Sequence, residues 1–158
     1  MPIDICLRDV TEADLDMFFQ QQLDPEANQM AAFTAKDPAD REAFDGKWAK
    51  ILAGERITLK AILHAGQVAG YIVSHGWFGD LEVSYWIGKE FWGRGIATAA
   101  LAQFLDVVQT RPLYARAAQD NIASLRVLQK CGFKISGEDR GFANARGEEV
   151  AEFILQLG

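Results

Sequence analysis

The sequence has little cysteine and no excess of positive charge. Its 158 residues contain two cysteines, and 22 acidic against 16 basic residues give a net charge of −6. A nucleic-acid-binding surface is usually a basic patch, so this balance argues against a nucleic-acid partner and favours an amine-bearing one. Cys6 and Cys131 lie in apolar segments near opposite ends of the chain. We predict buried free thiols there rather than a disulfide or a catalytic thiol.

The sequence also lacks an export signal and a run suited to a membrane span. Its first residues, MPIDICLRD, show no basic start followed by an apolar stretch. Residues Ala61–Gly79 carry no charge but include His64, Gln67 and several glycines, which indicates strand-turn-strand rather than a spanning helix. We therefore expect a cytoplasmic protein without membrane contact, folded as one domain over residues 1–158.

Hydrophobic periodicity predicts an α/β fold, with one mixed sheet and helices on both of its faces. The predicted order is β-α-α-β-β-β-α-β-α-β-β, and the segment Asp24–Asp40 is predicted to be mostly loop. The predicted strands are Ile3–Leu7, Arg56–Leu63, Gln67–Trp77, Leu81–Ile87, Leu113–Ala118, Phe133–Phe142 and Glu148–Leu157. The predicted helices are Thr11–Leu23, Ala39–Ala53, Gly93–Gln109 and a short one between Asn121 and Gly132. The strand-helix-strand unit from Leu81 to Ala118 makes the sheet parallel there.

The most informative segment is YWIGKEFWGRGIATAAL, from Tyr85 to Leu101. It predicts a strand, then a short polar loop, and then a helix that Gly93-Arg94-Gly95 opens. Glycines at a helix start leave several backbone N–H groups accessible at the positive end of the helix dipole. We therefore predict a binding site for a phosphate or pyrophosphate group of a phosphorylated cofactor.

Two alternative interpretations of these glycines stay open. One is a dinucleotide-binding fingerprint, in which the loop follows its strand directly as G-x-G-x-x-G/A. Here residues 88–92 intervene, and Thr98 stands where the third glycine belongs. The other alternative is a glycine-bearing loop start that binds nothing.

Two motifs, in order, make the chain similar to the GNAT superfamily of acyl-CoA-dependent N-acetyltransferases. The first, WGRGIAT over Trp92–Thr98, resembles Trp-Gly-Lys-Gly-Tyr-Ala-Thr of the Rim-type branch, named for ribosomal-protein N-terminal acetyltransferases. Trp92 departs from the glutamine or arginine usual in the superfamily. The second, Asn121-Ile122-Ala123-Ser124 followed by Lys130–Phe133, resembles N-x-x-S-x-x-x-L-x-K-x-G-F. The resemblance covers nearly the whole chain and is weakest over Asp24–Ala53.

The resemblance implies acetyl-CoA as cosubstrate and an amine as acceptor, either a protein N terminus or a small molecule. It implies no metal, and we expect a monomer or a homodimer. Helix capping alone would also explain Asn121, and Ser124 could equally be a capping or solvent-facing residue. The implied cofactor contacts are Trp86, Ile87, Gly88, Trp92, Gly93, Arg94, Gly95, Ile96, Ala97, Thr98, Asn121 and Ser124.

The implied reaction is direct attack of the amine on the thioester, with a backbone N–H near Ile87 stabilising the oxyanion. We predict Glu82 as the general base, and His75 and Asp80 are alternatives. The competing interpretation of Glu82 is an exposed strand carboxylate without a catalytic role. A bulge in this strand, as the superfamily has, would decide which way Glu82 points.

Leu128 stands where many members of the superfamily have a tyrosine that protonates the leaving thiolate. Ser124 is a predicted catalytic residue because it can take that role; alternatively, the thiolate leaves unprotonated or catalysis is poor. This departure keeps open a second function, an acyl-CoA-binding module with weak or no catalysis.

The helices Thr11–Leu23 and Ala39–Ala53 are predicted to form a wall of the acceptor pocket. Four aromatic side chains are predicted to line it, although aromatic residues at helical spacing are also typical of a core. They are Phe33, Phe44, Trp48 and Trp77.

Overall fold

A computed structural model describes residues 4–76 and 79–158. Over these residues the chain forms one mixed sheet with the strand order β1-β2-β3-β4-β5-β7-β6. Its strands are β1 (Ile5–Arg8), β2 (Thr58–His64), β3 (Gln67–His75), β4 (Glu82–Ile87), β5 (Leu113–Ala118), β6 (Lys134–Ala143) and β7 (Glu148–Leu157). Its helices are α1 (Glu12–Gln22), α2 (Pro25–Ala31), α3 (Arg41–Ala53), α4 (Ile96–Val107) and α5 (Ile122–Lys130), with a 3₁₀ turn at Lys89–Phe91. Ile3 and Trp77, predicted at strand ends, lie outside the described residues.

The predicted fold class is confirmed, but one helix was missed. Helix α2 lies in the segment Asp24–Asp40, so the prediction of a loop there is wrong. The Asp24 carboxylate accepts a hydrogen bond from the Ala27 N–H at 2.9 Å, and Pro25 occupies the first helical turn. Proline is tolerated at that position because its missing N–H would have no intrahelical partner.

The sheet carries a hydrophobic core on each face. In β2, Ala61 packs in a cluster with Trp48 of α3, whereas the next residue, Ile62, packs in a cluster with Leu101 of α4. Because successive strand residues point to opposite faces, the two clusters lie on opposite sides of the sheet. The prediction of helices on both faces is therefore confirmed.

Strands β4 and β5 diverge in the middle of the sheet. They are parallel as predicted, but in the described residues their pairing is at Glu82 opposite Tyr114. On its other side, β4 pairs with β3 in an uninterrupted register from Glu82 to Ile87, without a bulge. A gap between β4 and β5 therefore opens toward the end of β4.

The loop at residues 144–147, between β6 and β7, holds α2 and the segment that follows it. Asn144 Nδ2 donates to the Thr34 carbonyl at 2.8 Å, and Arg146 Nε donates to the Gln29 carbonyl at 2.9 Å. Arg146 also pairs with Asp120, with 2.8 Å between Nη2 and Oδ1. The C-terminal hairpin thus fixes both this segment and the start of α5.

The predicted free thiols are confirmed, but their predicted burial is wrong for Cys6. Cys6 is exposed because it faces outward on β1, an edge strand of the sheet, and Cys131 is half-buried. Across the described part of the chain, none of the helices combines the length and apolar character needed to cross a membrane.

Candidate active site

The glycine turn before α4 depends on a backbone conformation that other residues rarely adopt. Gly93 has φ 74° and Gly95 has φ 75°, both left-handed. A Cβ built at either position meets nothing within 4 Å, so the space in front of the turn is open. The first N–H groups of a helix lack intrahelical partners and carry partial positive charge. The turn is therefore suited to a pyrophosphate.

Aromatic residues fix this turn relative to the end of β4. Trp92 Nε1 donates to the Ile87 carbonyl at 2.9 Å, and Phe91 is buried in the core. The Arg94 guanidinium lies over the Phe91 ring, 5.9 Å from its centroid. Trp92, which departs from the usual glutamine or arginine, thus ties the loop to the strand.

A cavity of about 390 Å³, here called the narrow cavity, lies between the glycine turn, α2, the end of β4 and α5. Two predicted cofactor contacts do not line it. The Gly88 N–H donates to the Ala69 carbonyl of β3 at 2.8 Å, and Arg94 lies on Phe91 instead. The predicted contacts that do line it are Trp86, Ile87, Trp92, Gly93, Gly95, Ile96, Ala97, Thr98, Asn121 and Ser124.

A second cavity of about 730 Å³, here called the wide cavity, lies between the α2–α3 region and strands β3, β4 and β5. Phe33 and Phe44 line it as predicted. The prediction for Trp48 is wrong, because this side chain is 1% exposed and packs against Phe18 and Tyr71 in the core. Trp77 lies outside the described residues.

The two cavities meet at the gap beside β4. Among the described residues, those that line both cavities are Ala31, Tyr85, Trp86, Asn121 and Ser124. Asn121 caps α5, and its Oδ1 accepts a hydrogen bond from the Ser124 N–H at 3.3 Å. Tyr85 Oη and Ser124 Oγ lie 2.9 Å apart. The sequence does not identify Tyr85 as a site residue, because nothing local marks which strand residues face a gap in the sheet.

The N–H of Ile87 points toward this gap. The next N–H, that of Gly88, donates to β3. Because successive N–H groups of a strand point to opposite sides, the Ile87 N–H points away from β3 and toward β5. Its direction is the one required of an oxyanion donor at the junction of the cavities.

Glu82 lies in the wide cavity within a charged cluster. Arg116 Nε donates to Glu82 Oε1 at 3.0 Å, and its Nη1 lies 2.9 Å from Asp139 Oδ2 and 3.0 Å from Glu152 Oε1. Glu82 is 8% exposed, so its interpretation as an exposed carboxylate is wrong. A hydrogen bond from the Arg140 N–H, and then the Arg116 guanidinium, lower the pKa of Asp139. One guanidinium thus faces several carboxylates, which leaves the cluster with excess negative charge.

The alternative proton acceptors differ in position. His75 lies opposite Glu82 in the β3–β4 register and lines the wide cavity. Partial burial lowers the pKa of His75, an effect that the Glu82 carboxylate opposes. Asp80 is exposed and lines neither cavity. Leu128 lines the wide cavity but is 2% exposed and packs in the core, and its hydrocarbon side chain has no acidic proton to supply.

Comparison with known proteins decides the family. Residues 4–134 match the model of the family described as acetyltransferase (GNAT) domain. The chain belongs to the GNAT family. Its members transfer an acetyl group from acetyl-CoA to an amine, which confirms the predicted class of this domain.

Individual relatives of this GNAT domain are distant. The uncharacterized N-acetyltransferase p20 of Bacillus licheniformis is 24% identical over 83 residues, which are 50% of this chain and 47% of p20. The ribosomal-protein-alanine N-acetyltransferase of Brucella melitensis is 21% identical, with a TM-score of 0.79 over 96% of this chain and 98% of its own. A spermidine N-acetyltransferase of Vibrio cholerae, solved with CoA and spermine, is 16% identical. Its TM-score is 0.77 over 96% of this chain and 95% of its own. These structures show the shared fold.

Two cations that sequence analysis did not assign also line the narrow cavity. Arg126 and Lys130 lie four residues apart on α5 and therefore share one face of the helix. Lys130 belongs to the second motif, whereas nothing in the sequence marks Arg126.

We expect the double variant R126A/K130A to bind CoA about tenfold more weakly, because the narrow cavity loses two cations that can pair with phosphate groups. The loss should shrink at high salt, since exposed charges are screened. Isothermal titration calorimetry at low and high salt measures both effects. Arg140→Ala, an exposed arginine of β6 that lines neither cavity, is the control. An unchanged affinity at low salt would contradict the assignment.

Proposed function

We propose that this protein acetylates a positively charged primary amine that enters through the wide cavity, with acetyl-CoA held in the narrow cavity. One observation carries the proposal: the two cavities meet beside β4 at a shared set of residues. One cavity faces the glycine turn, and the other faces the carboxylates around Arg116. Acetyl-CoA supplies an acyl thioester, and the amine can reach this thioester through the gap between β4 and β5.

The narrow cavity has groups that match the parts of acetyl-CoA. The N–H groups of Gly93 to Thr98 suit the pyrophosphate, and Arg126 and Lys130 suit the phosphates. Trp86 Nε1 is buried and has no acceptor among the described protein groups, so it suits a carbonyl oxygen of the ligand. The Ile87 N–H suits the acetyl oxygen.

The acceptor must be an amine that loses its proton at little cost. At neutral pH, deprotonation of a lysine amine costs about 4.6 kcal/mol, but an α-amine costs only about 1 kcal/mol. Glu82 is a carboxylate, which is by its chemistry a weak base, and its Oε1 accepts a hydrogen bond from Arg116 Nε at 3.0 Å. A weak base suits an α-amine, so we propose a Rim-type function on a protein N terminus. A small-molecule amine is the alternative, and its motivation is the spermine-bound relative of the same fold.

Glu82 is the proposed proton acceptor, and His75 is its alternative. If Glu82 is the base, Glu82→Gln should lower kcat at least about tenfold and change the shape of the fall in rate at acid pH, which then follows protonation of the acceptor amine alone. The physical reason is that a carboxylate base works only while it is ionised. His75→Gln is the matched variant, on the strand opposite. A pH–rate profile of Glu82→Gln that matches the wild type would exclude Glu82 and move the role to His75.

Thiol release from acetyl-CoA tests the function. The acceptor panel contains peptides with free N termini, the same peptides N-acetylated, polyamines and aminoglycosides. Turnover with free N termini alone supports the Rim-type proposal, and turnover with polyamines alone overturns it. CoA binding without turnover across the panel would favour the non-catalytic module, for which the buried Leu128 is the motivation. Thermal stabilisation of the protein by NAD or ATP but not by CoA would overturn the proposed acetyl transfer.

Other expectations from the sequence stay predictions. They are a single domain over residues 1–158, a cytoplasmic location, the lack of a nucleic-acid partner, and a monomer or homodimer. Sedimentation equilibrium measures the oligomeric state directly.

A further inference from the structure

We infer that Tyr85 positions the Ser124 hydroxyl so that its hydrogen points at the departing sulfur of the acyl donor. Ser124 is then the catalytic hydrogen-bond donor, and Tyr85 is its positioning residue. The inference rests on the proposed function, because it needs the thioester at the junction of the two cavities.

The first observation is where these hydroxyls lie. Of the described residues that line both cavities, Tyr85 and Ser124 are the ones that carry a hydroxyl. A thioester in the narrow cavity and an amine in the wide cavity can meet only where both cavities are open. The leaving sulfur therefore departs beside this pair.

The second observation is the hydrogen bond between the two side chains. Tyr85 Oη and Ser124 Oγ are 2.9 Å apart, and both residues are half-buried. A serine hydroxyl donates once and accepts twice, whereas a buried phenol needs an acceptor for its hydrogen. Donation from Tyr85 to Ser124 satisfies the phenol and leaves the serine hydrogen available. The reverse direction would leave the phenol hydrogen without an acceptor among the described groups.

The third observation is that a hydrogen bond from its backbone N–H holds Ser124 in place. Its N–H donates to Asn121 Oδ1, which places Ser124 in the first turn of α5. A serine hydroxyl otherwise rotates freely about its side-chain bond. With the oxygen placed by α5 and one lone pair taken by Tyr85, the hydrogen is left to point into the junction.

Burial keeps Tyr85 a donor at every working pH. It raises the pKa of Tyr85 to about 12, an effect that the Ser124 hydrogen bond partly offsets. This value lies well above the roughly 8.5 of a typical thiol, so the phenol proton does not transfer to sulfur. The pair therefore stabilises the thiolate by hydrogen bonding and does not protonate it.

Transfer of the acetyl group to the amine needs no proton from Tyr85 or Ser124. The acceptor nitrogen forms a bond to the acetyl carbon, and the bond between that carbon and sulfur breaks, its electron pair going to sulfur. The proton on the acceptor nitrogen goes to the base in the wide cavity. Ser124 keeps its proton throughout, and solvent later protonates the released thiolate.

The test compares Y85F, S124A and the double variant Y85F/S124A. We expect each single variant to lower kcat about tenfold with little change in KM for acetyl-CoA. The double variant should be no slower than S124A, because Tyr85 acts only through Ser124. Y114F is the matched control, since Tyr114 lies on β5 and lines neither cavity. S124T keeps a hydroxyl and should retain more activity than S124A.

A second readout does not depend on turnover. The pKa of the thiol in bound CoA, followed by the ultraviolet absorbance of the thiolate, should lie below that of free CoA in the wild type. In Y85F and S124A it should rise toward the free value, while the affinity for desulfo-CoA stays unchanged. Equal thiol pKa values in wild type and Y85F, or losses in kcat that add up in the double variant, would overturn the role of Tyr85 but leave the proposed function standing. Failure of the wild type to bind CoA would overturn the proposed function with it.

Discussion

Gly95→Glu is expected to weaken CoA binding more than about 100-fold, which is a loss of about 2.7 kcal/mol. Gly95 has φ 75° and lines the narrow cavity, with open space where a side chain would stand. A glutamate there fills the space and places a carboxylate at the proposed binding site of the phosphates. Its left-handed backbone also costs roughly 1–2 kcal/mol. Isothermal titration calorimetry with CoA measures the affinity, and circular dichroism confirms the fold.

Gly66→Glu separates the site effect from the backbone effect. Gly66 has φ 81°, is exposed in the β2–β3 turn, and a Cβ there also meets nothing within 4 Å. The substitution thus imposes a similar backbone cost but adds its charge away from both cavities. CoA affinity should stay at the wild-type value. Equal losses in both variants, or normal affinity in Gly95→Glu, would show that the pyrophosphate does not bind at the turn.

Arg116→Ala is expected to destabilise the fold by about 2 kcal/mol near neutral pH. It removes the cation shared by Glu82, Asp139 and Glu152. Breaking a fully buried ion pair costs about 3–5 kcal/mol. The Arg116 side chain is 38% exposed, so water partly compensates and the smaller figure applies. Urea unfolding of both proteins gives the difference in free energy of unfolding.

The loss in Arg116→Ala should depend on pH with a definite sign. The pKa of Asp139 is lowered in the folded protein, first by the Arg140 N–H and then by Arg116. A carboxyl with a lowered pKa stabilises the fold above its unfolded pKa, about 3.9 for aspartate, and this contribution is lost as pH falls through the folded pKa. The difference in free energy of unfolding between wild type and variant should therefore have its full value above about pH 5 and decrease below about pH 4. Arg140→Ala, which keeps the backbone N–H, should show neither effect, and a gap constant across pH would contradict the ionic account.

Local signals in the sequence were sufficient for most elements. The β2–β3 hairpin was predicted from His64-Ala65-Gly66, and Ala65 and Gly66 do adopt positive φ values of 50° and 81°. The start of α5 was predicted from Asn121, whose side chain caps it. Helix α2 was missed because Asp24–Asp40 has no clear hydrophobic period and contains Pro25 and Pro38, although proline suits a first helical turn.

The candidate site was only partly predictable from the sequence. Some of its residues are contiguous in the sequence, whereas others are brought together from distant positions by the fold. The glycine turn is a contiguous segment, so its residues alone indicated an anion site. Arg116 instead meets Glu82, Asp139 and Glu152 across 34, 23 and 36 residues. Those contacts require the order β5-β7-β6, and Tyr85 meets Ser124 across 39 residues. Periodicity along one segment carries no information about which strands become neighbours.

The position of β7 sets the order of events when the chain is made. Strand β7 follows the other six described strands along the sequence, and it pairs with β5 on one side and β6 on the other. On a ribosome, β1 to β4 can pair as they emerge, whereas β5 must wait for more than thirty further residues. Until then its apolar side chains Leu113 and Ala115 border an open edge in a nascent chain. Completion of the wide cavity therefore waits for β7, and a chaperone would have its best opportunity to bind before β7 pairs with β5.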